Sequence, residues 1–347
     1  MKPTPLISVI VLNYNGAQWL PRCFESLAAQ TIFSQIEIIM VDNNSPDGSG
    51  QTAAQWVQNL ANGRMLQNKT NLYFCEANNK GAELATGEFL LFLNNDLWLE
   101  PDCLEKLYHE TKSAQADAAT PLVLNYSDDS FQSLGGPGLD IFGLATPFSQ
   151  FQNTREIFCA CGCSLLIKTD LFKKIGGYDN ALLMYADELD LSWRVWLAGG
   201  KIVAAPSARL HHRGAAAVNP KGETQMVEAR TSETKRFLAN RNNLLVILKN
   251  SKNIMLLLVI PHLLLLLAEA CISLLLVRRW SFVRKSYIGA VAEAFQMSSH
   301  VRECWRRNQT FRQRSDFWML RFLRLKPSRW GDVKRMFSGG IPKVDAS

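Results

Sequence analysis

The stretch Phe89 to Pro101, FLLFLNNDLWLEP, decides the fold. Its apolar run, Phe89 to Leu93, is too long for a strand with one wet face and too short to cross a membrane. It predicts a strand buried on both faces, and such strands belong in the middle of parallel sheets. The run stops at Asn94, Asn95 and Asp96, so two amides and a carboxylate sit beyond the carboxyl end of the strand. In open α/β sheets that edge is where ligands bind. Asn-Asn-Asp is also ordinary turn chemistry, and this stretch alone does not separate the two readings.

Upstream, two more apolar runs have the same character. LISVIVL (Leu6 to Leu12) ends in Asn13-Tyr14-Asn15-Gly16, and IEIIMV (Ile36 to Val41) ends in Asp42-Asn43-Asn44. Helical spacing over Gln18 to Ala29, Gln51 to Leu60 and Glu76 to Ala85, with a short strand near Arg64 to Leu66, completes a strand–helix alternation over about the first 95 residues. Three polar strand ends at one edge predict a single crevice. No glycine-rich phosphate loop follows the first strand, so a nucleotide there is expected to be held by carboxylates and a cation, Mg²⁺ or Mn²⁺.

Downstream, a helix is predicted from Pro101 to about Ala114 and a strand over Ala118 to Val123. Asn125 to Glu156 has no lasting period and reads as a long loop, either an acceptor-binding surface or a connector. Phe158 to Ile167 reads as a strand on which Cys159, Cys161 and Cys163 alternate onto one face, favouring a packed strand of small residues over metal ligation, which usually takes a two-residue spacer and a second ligand pair. In YADELDLSWR, Asp187, Glu188 and Asp190 open a helix. One acid there answers the helix dipole; three exceed what capping needs and can raise a carboxylate pKa toward that of a base. Arg194 lies four residues after Asp190 and can pair with it. His211-His212 ends an extended run from Ile202 and reads either as polar loop residues or as a metal or phosphate contact.

The chain's 347 residues allow one large domain and an appendage. The N-terminus, MKPTPLISVIV, lacks the pattern of a signal peptide, so the eight cysteines are expected as free thiols in a reducing compartment. From Arg278 onward there are 16 Lys and Arg against 5 Asp and Glu, while the remainder has 22 against 26. The whole basic excess therefore follows the segment Ile254 to Val277, IMLLLVIPHLLLLLAEACISLLLV. That segment is long enough to span, but Pro261, His262 and Glu269 oppose spanning. A re-entrant or in-plane hairpin kinked at Pro261, with basic amphipathic helices on anionic lipid, is the favoured reading; a true span and a buried core helix are the others. The basic residues come with no nucleic-acid-binding module, so no nucleic-acid partner is expected.

Taken together, SVIVLNYNG, VDNNSPDGS, NKTNLYFCEANNKGAELATGEFLLFLNNDLWLEP, IGGYDNALLMYADELDLSWR and LHHRG resemble the family 2 glycosyltransferases, in particular the bacterial rhamnosyltransferase-like enzymes of polysaccharide assembly. The likeness covers Leu6 to about Arg213, and more loosely Asn240 to Lys249. It implies an α/β fold of the GT-A type, a doubly wound mixed sheet with a Rossmann-like nucleotide half, followed by a helical membrane-associating region. The domains expected are 1–225 for the transferase, 226–253 for a linking helix and 254–347 for the membrane-associated part. It further implies inverting transfer of a sugar, rhamnose or another hexose, from a nucleotide diphosphate to a hydroxyl. The acceptor would be polyprenyl diphosphate-linked or a polysaccharide, at the cytoplasmic face of the bacterial inner membrane.

By position, the resemblance assigns Asp42 to the nucleotide base, with Asn13, Asn15, Asn71, Asn94 and Asn95 around the donor. Asp96 falls on the second aspartate of the metal-binding Asp-x-Asp motif and His211 on a histidine of the metal site in some relatives. Glu188, flanked by Asp187, falls on the general base; Asp190, Trp193, Arg194 and His212 are candidates for acceptor or diphosphate contacts. Three positions depart from the family pattern: Asn94 replaces the first aspartate, Asp187-Glu188 reverses the usual Glu-Asp order, and Leu72-Tyr73 replaces Gly-Phe. The competing class is a nucleotide-sugar-binding or scaffold protein that has lost catalysis.

Overall fold

The three apolar runs form strands buried almost without interruption in the computed structural model of the chain, which describes residues 4–147, 151–214, 230–328 and 343–345. The chain divides into two units. The first comprises residues up to Gly136 and Pro147 to Gly214; the second comprises Pro137 to Thr146 and the residues from Ala215 onward. The predicted boundary at 225 lies outside the described residues.

In the first unit, β1 (Ile7–Asn13), α1 (Leu20–Ala28), β2 (Ile36–Asp42), α2 (Ser49–Gln58), β3 (Gly63–Gln67), α3 (Tyr73–Glu83) and β4 (Phe89–Asn94) alternate as predicted. Then follow β5 (Leu97–Leu99), α4 (Cys103–Ser113), β6 (Ala118–Asn125) and β7 (Phe131–Ser133). After β8 (Leu139–Asp140), which belongs to the second unit, come β9 (Arg155–Glu156), β10 (Ser164–Lys168), α5 (Thr169–Lys174), α6 (Asp187–Leu197) and β11 (Ile202–His212). The sheet runs β3-β2-β1-β4-β10-β6-β11-β5, with β7 on β6 and β9 on β11. β3, β2, β1 and β4 are parallel, whereas β10 and β5 run antiparallel to their neighbours. The expected α/β doubly wound mixed sheet is thus borne out.

Burial on both faces is visible on β4. Phe89 packs edge-on against Tyr108 of α4 on one side (ring centroids 5.8 Å apart), and Phe92 packs against Phe172 of α5 and Tyr178 on the other (each 5.0 Å). Each such side chain contributes about 1.5–3 kcal/mol by leaving water. Strand order reverses beside β1: the chain moves outward from β1 to β3, then returns through α3 to place β4 on the other side of β1. That reversal opens the carboxyl ends of β1 and β4.

Two expectations need correction. Asn125 to Glu156 is not one long loop, since β7, β8 and β9 lie within it and Pro137 to Thr146 joins the other unit. The cysteines do not share a strand face. β10 starts only at Ser164, because Gly162 and Cys163 form a turn and Cys159 and Cys161 make isolated bridges; the alternation carries no strand where Gly162 bends the chain.

The second unit is helical. A short parallel pair, β12 (Arg230–Ser232) with β14 (Lys343–Asp345), accompanies it, and β13 (Leu323–Arg324) pairs with β8. Ser232 caps α7 (Glu233–Asn250) by accepting from the Lys235 N–H at 3.1 Å. A 3₁₀ turn over Ile254–Leu258 runs into α8 (Val259–Val277), followed by α9 (Trp280–Val283), a π-helical turn, α10 (Ala290–Gln296), α11 (Ser298–Phe311) and α12 (Asp316–Met319). No hairpin forms at Pro261. It stands in the first turn of α8, where a missing N–H leaves no bond unmade.

Residues Ile254–Val277 are long and apolar enough to cross a membrane, with mean hydropathy 2.4, and only 22% of that window is buried, which excludes a core helix. Its polar residues face the unit itself: His262 Nδ1 lies 2.8 Å from the Phe142 carbonyl, and Glu269 lies 3.9 Å from Arg236 of α7. The opposite stripe is bare, with Leu257, Ile260, Leu264 and Leu267 each 61–62% exposed and Leu275 73%.

Candidate active site

At the reversal point the three polar strand ends are joined by one hydrogen-bond chain. Asn95 Nδ2 donates to Asn13 Oδ1 (2.8 Å), and Asn13 Nδ2 donates to Asp42 Oδ1 (2.7 Å). Gly16 makes this possible, because a Cβ there would stand 2.2 Å from Asn13 Oδ1. A carboxylate has about four acceptor positions, and donors fill them on Asp42. Besides Asn13 these are the Ser45 hydroxyl (2.6 Å), the Ser45 N–H (3.1 Å) and Gln67 Nε2 (2.5 Å). Asp42 is buried and its hydrogen bonding is committed within the protein. As the structure stands it organises the Ser45 turn rather than reaching outward to a base. Asn15 is exposed, in left-handed backbone, with its N–H on Ser45 Oγ (3.1 Å).

Asn71 accepts from Asn43 Nδ2 and from the Tyr73 N–H, each at 2.8 Å, which fixes the loop entering α3. Asn43, Ser45 and Gln67 complete this network without having been candidates by sequence, where their only signal is a place at or beside a strand end.

Asp96 is buried just past β4, with Oδ1 3.3 Å from His212 Nε2; Asn94 Nδ2 lies 3.5 Å from the same nitrogen. Asn94 therefore stands beside the imidazole, where a second carboxylate would have added charge. Gln132 on β7 donates from Nε2 to Asn125 Oδ1 (3.0 Å), leaving its Oε1 to accept from His212 Nδ1 (2.8 Å). That bond makes Nδ1 the donor and so turns Nε2 toward Asp96, as an N–H when the ring is protonated and as a lone pair when it is neutral. Asp96 Oδ1 is buried without a well-formed hydrogen bond. An orphaned carboxylate oxygen facing a pre-aimed imidazole nitrogen suits a divalent cation that accepts oxygen and nitrogen donors.

Burial alone would raise the Asp96 pKa, but His212 and then Arg213 hold it below the usual carboxylate value. Burial likewise presses His212 toward neutrality, and Asp96 outweighs it, so the imidazole pKa is raised.

His211 is not at this site. Neighbouring residues of a strand face opposite ways, and His211 stacks on Trp98 (3.6 Å, 1°), with Nδ1 3.0 Å from Asp129 and Nε2 3.6 Å from Glu100. The residue that meets Asp96 is His212.

At the start of α6 the backbone is strained: Leu183, Tyr185 and Ala186 all have positive φ (63°, 70° and 59°), a conformation L side chains rarely adopt. The Leu183 carbonyl accepts from the Phe74 and Cys75 N–H groups at 3.0 and 2.9 Å, tying this turn to α3. The turn presents Asp187 buried and Glu188 half-buried. Burial, then the Glu188 charge, pushes the Asp187 pKa well above the ordinary value; burial, with Cys161 nearby, pushes Glu188 up to about 7. Both carboxyls are shifted upward, and Glu188, the half-buried one, is the one placed to exchange a proton near neutral pH. Replacing Asp187 by Asn should raise the melting temperature by about 2–4 °C at pH 8, where the unfolded carboxyl is ionised and its raised pKa in the fold is a cost, with little gain at about pH 3, where the unfolded carboxyl is protonated as well; thermal melts at both pH values check this.

Asp190, Trp193 and Arg194 are fully buried, which corrects their assignment to ligand contacts. Arg194 donates from Nε and Nη2 to Asp190 Oδ2 (2.9 and 2.7 Å), and from Nη1 to the carbonyls of Ile175 and Gly177 (2.9 and 2.6 Å). The pair holds α6 to the turn after α5.

The turn Cys161–Cys163 touches both halves of the site. The Asn94 N–H donates to the Cys163 carbonyl (3.2 Å), the Ala160 N–H to Ser192 Oγ on α6 (3.2 Å) and the Cys161 N–H to Thr120 Oγ1 (3.2 Å). A Cβ on Gly162 would lie 3.5 Å from the Glu188 carboxylate.

A mixed sheet that reverses beside its first strand, with a short antiparallel return carrying a carboxylate to that point, is the GT-A type. Residues 8–176, nearly half of the chain and most of this unit, match the family model described as Glycosyl transferase family 2. The chain is 27% identical over 232 residues to the O-antigen biosynthesis protein RfbC of Myxococcus xanthus, covering 62% of this chain and 18% of that protein. It is 25% identical over 270 residues to the N-acetylglucosaminyl-diphospho-decaprenol L-rhamnosyltransferase of Mycobacterium tuberculosis, covering 69% of this chain and 86% of that protein. The chain thus spans less than a fifth of RfbC and most of the rhamnosyltransferase. The solved structure of GalNAc-T7 with UDP, GalNAc and Mn²⁺ has a TM-score of 0.54 at 18% identity, over 61% of this chain and 44% of that one, a likeness of fold.

Proposed function

We propose that the chain is an inverting glycosyltransferase that moves a hexose, rhamnose first among the candidates, from a nucleotide diphosphate to a hydroxyl of a polyprenyl diphosphate-linked or polysaccharide acceptor. The observation that carries this reading is the division of labour between the two halves of the site: a carboxylate–imidazole pair at the strand reversal and a carboxyl titrating near neutrality at the start of α6. Asp96 and His212 Nε2 would hold a divalent cation, with Gln132 fixing the imidazole. When bound, the cation supplies Lewis-acid stabilisation of the departing diphosphate. Asn95 and Asn13 keep the carboxyl ends of β1 and β4 in register for the donor. Glu188, ionised, accepts the proton of the acceptor hydroxyl as its oxygen bonds to the anomeric carbon. Attack on the face opposite the diphosphate inverts that carbon.

A panel of UDP- and dTDP-sugars with Mn²⁺ or Mg²⁺, scored by thermal stabilisation and by turnover, tests the reading and identifies the donor. His212→Ala should weaken the metal requirement's half-saturation about 10- to 100-fold, whereas His211→Ala leaves it near wild type. Equal metal dependence in the two variants would remove the metal assignment.

The bare stripe of α8 and the basic residues after it support in-plane attachment to an anionic bilayer surface, the polar residues of α8 being turned toward the unit and the leucines toward lipid. Flotation of the full chain with vesicles should show binding to anionic but much less to neutral lipid, weakening with salt. The triple variant Leu264→Glu, Leu267→Glu, Leu275→Glu should abolish it; flotation of that variant undiminished would exclude this face.

A further inference from the structure

The turn between the two halves of the site carries a pair of thiols with no part in the transfer just described. Cys161 Sγ and Cys163 Sγ lie 3.5 Å apart, the first half-buried and the second buried. All eight cysteines are free thiols. The pair differs from the others in two ways: its sulfurs are already in contact, and the intervening residue is a glycine on which a Cβ would lie 3.5 Å from the Glu188 carboxylate. The turn is also pinned from outside, by Thr120, by Ser192 of α6 and by the backbone of Asn94. A change in its shape therefore reaches the base and the end of β4 together.

We propose that Cys161 and Cys163 form a reversible thiol–disulfide site whose oxidant is a low-molecular-weight disulfide, and that closing it shifts the Gly162 turn against Glu188 and slows transfer. The regulatory half of this proposal rests on the glycosyltransferase reading; the thiol site does not. The half-buried Cys161, as its thiolate, attacks the small disulfide, forming a mixed disulfide and expelling one small thiolate. Cys163, after losing its proton to solvent, attacks the Cys161 sulfur and expels the second. One S–S bond forms in the protein as one is lost in the oxidant, and two electrons and two protons pass to the small-molecule pair. A ring closed over one intervening residue is strained, and strained or exposed disulfides have the more oxidising potentials at which a reducing cell can reopen them. Displacement of a reacting group by about 1 Å costs up to about a hundredfold in rate, so movement of Gly162 against Glu188 suffices for a large effect.

The test equilibrates the full chain in glutathione redox buffers of rising oxidised fraction. At each point it maps thiols by alkylation and mass spectrometry and measures sugar turnover. The expected result is loss of two hydrogens on the peptide carrying residues 161–163, with turnover falling about tenfold or more and returning on reduction. Cys161→Ser and Cys163→Ala, each normalised to its own reduced rate, should lose this sensitivity. Glutathione retained on Cys161 without ring closure, both thiols alkylated throughout, or closure at unchanged turnover would each overturn the proposal. If the reduced chain turns over no nucleotide sugar, the transferase reading falls and takes the regulatory half with it, while the mass map still decides the thiol site.

Discussion

With Glu188 replaced by Gln, turnover falls about a thousandfold and thermal stabilisation by the nucleotide sugar persists, the size expected when a positioned general base is lost. The amide keeps the shape and half-burial of the side chain but cannot accept the acceptor's proton. The wild-type profile follows from the same group. Its pKa is raised from 4.5 to about 7 by burial, and only the ionised form accepts a proton. The rate therefore climbs with pH below about 7, tenfold per unit, and levels above it. The sign for stability is opposite. A carboxyl whose pKa is higher in the fold binds more protons folded than unfolded, so its contribution is present below the unfolded value of 4.5 and is lost as pH rises toward 7. The catalytic limb climbs where this contribution fades. Glu188→Gln should thus melt above wild type at pH 8 while being nearly inactive. A variant that is inactive and melts lower would point to a structural role instead.

The largest effect on stability belongs to the buried pair Asp190–Arg194 on the same helix. Asp190→Ala leaves the Arg194 guanidinium fully buried with only the carbonyls of Ile175 and Gly177 to answer it. Breaking one side of a buried pair costs about 3–5 kcal/mol, a large part of the 5–15 kcal/mol a domain of ordinary stability possesses. Urea unfolding followed by the fluorescence of buried Trp193 and Trp196 measures it. Replacing both partners together, Asp190→Leu with Arg194→Met, should recover much of the loss, because no uncompensated charge then remains. If the single variant loses less than about 1 kcal/mol, in the range of a surface pair, the buried assignment is wrong.

Much of the nucleotide half was legible because strands buried on both faces write themselves as unbroken apolar runs, and Phe89 to Leu93 needed no partner to be recognised. The polar ends were legible for the same reason: a run that stops at Asn or Asp marks its own edge. What escaped depended on tertiary register. His211 was placed by its position in the family motif, whereas which of two adjacent histidines faces Asp96 depends on face parity along β11, interrupted by an irregularity between Ala205 and Arg209 that no local pattern announces. Asp190 and Arg194 sit at a spacing that reads equally as a surface pair or a buried one, and only the packing of α6 decides. Cys159 to Cys163 has the alternation of a strand, but Gly162 allows a turn that the pattern of the other residues conceals.

One consequence of the β5–β11 ladder concerns chain length rather than residue identity. Leu97 stands opposite His212, Trp98 opposite His211 and Leu99 opposite Leu210. A slip of one residue in such a ladder exchanges its two faces. Inserting a single residue between Asp96 and Leu97 would therefore turn over the faces of β5, taking Trp98 off the face it shares with His211, while β11 keeps its own faces through its ladder to β6, with every original side chain still present. Over evolutionary drift this segment should accept substitutions more readily than insertions or deletions.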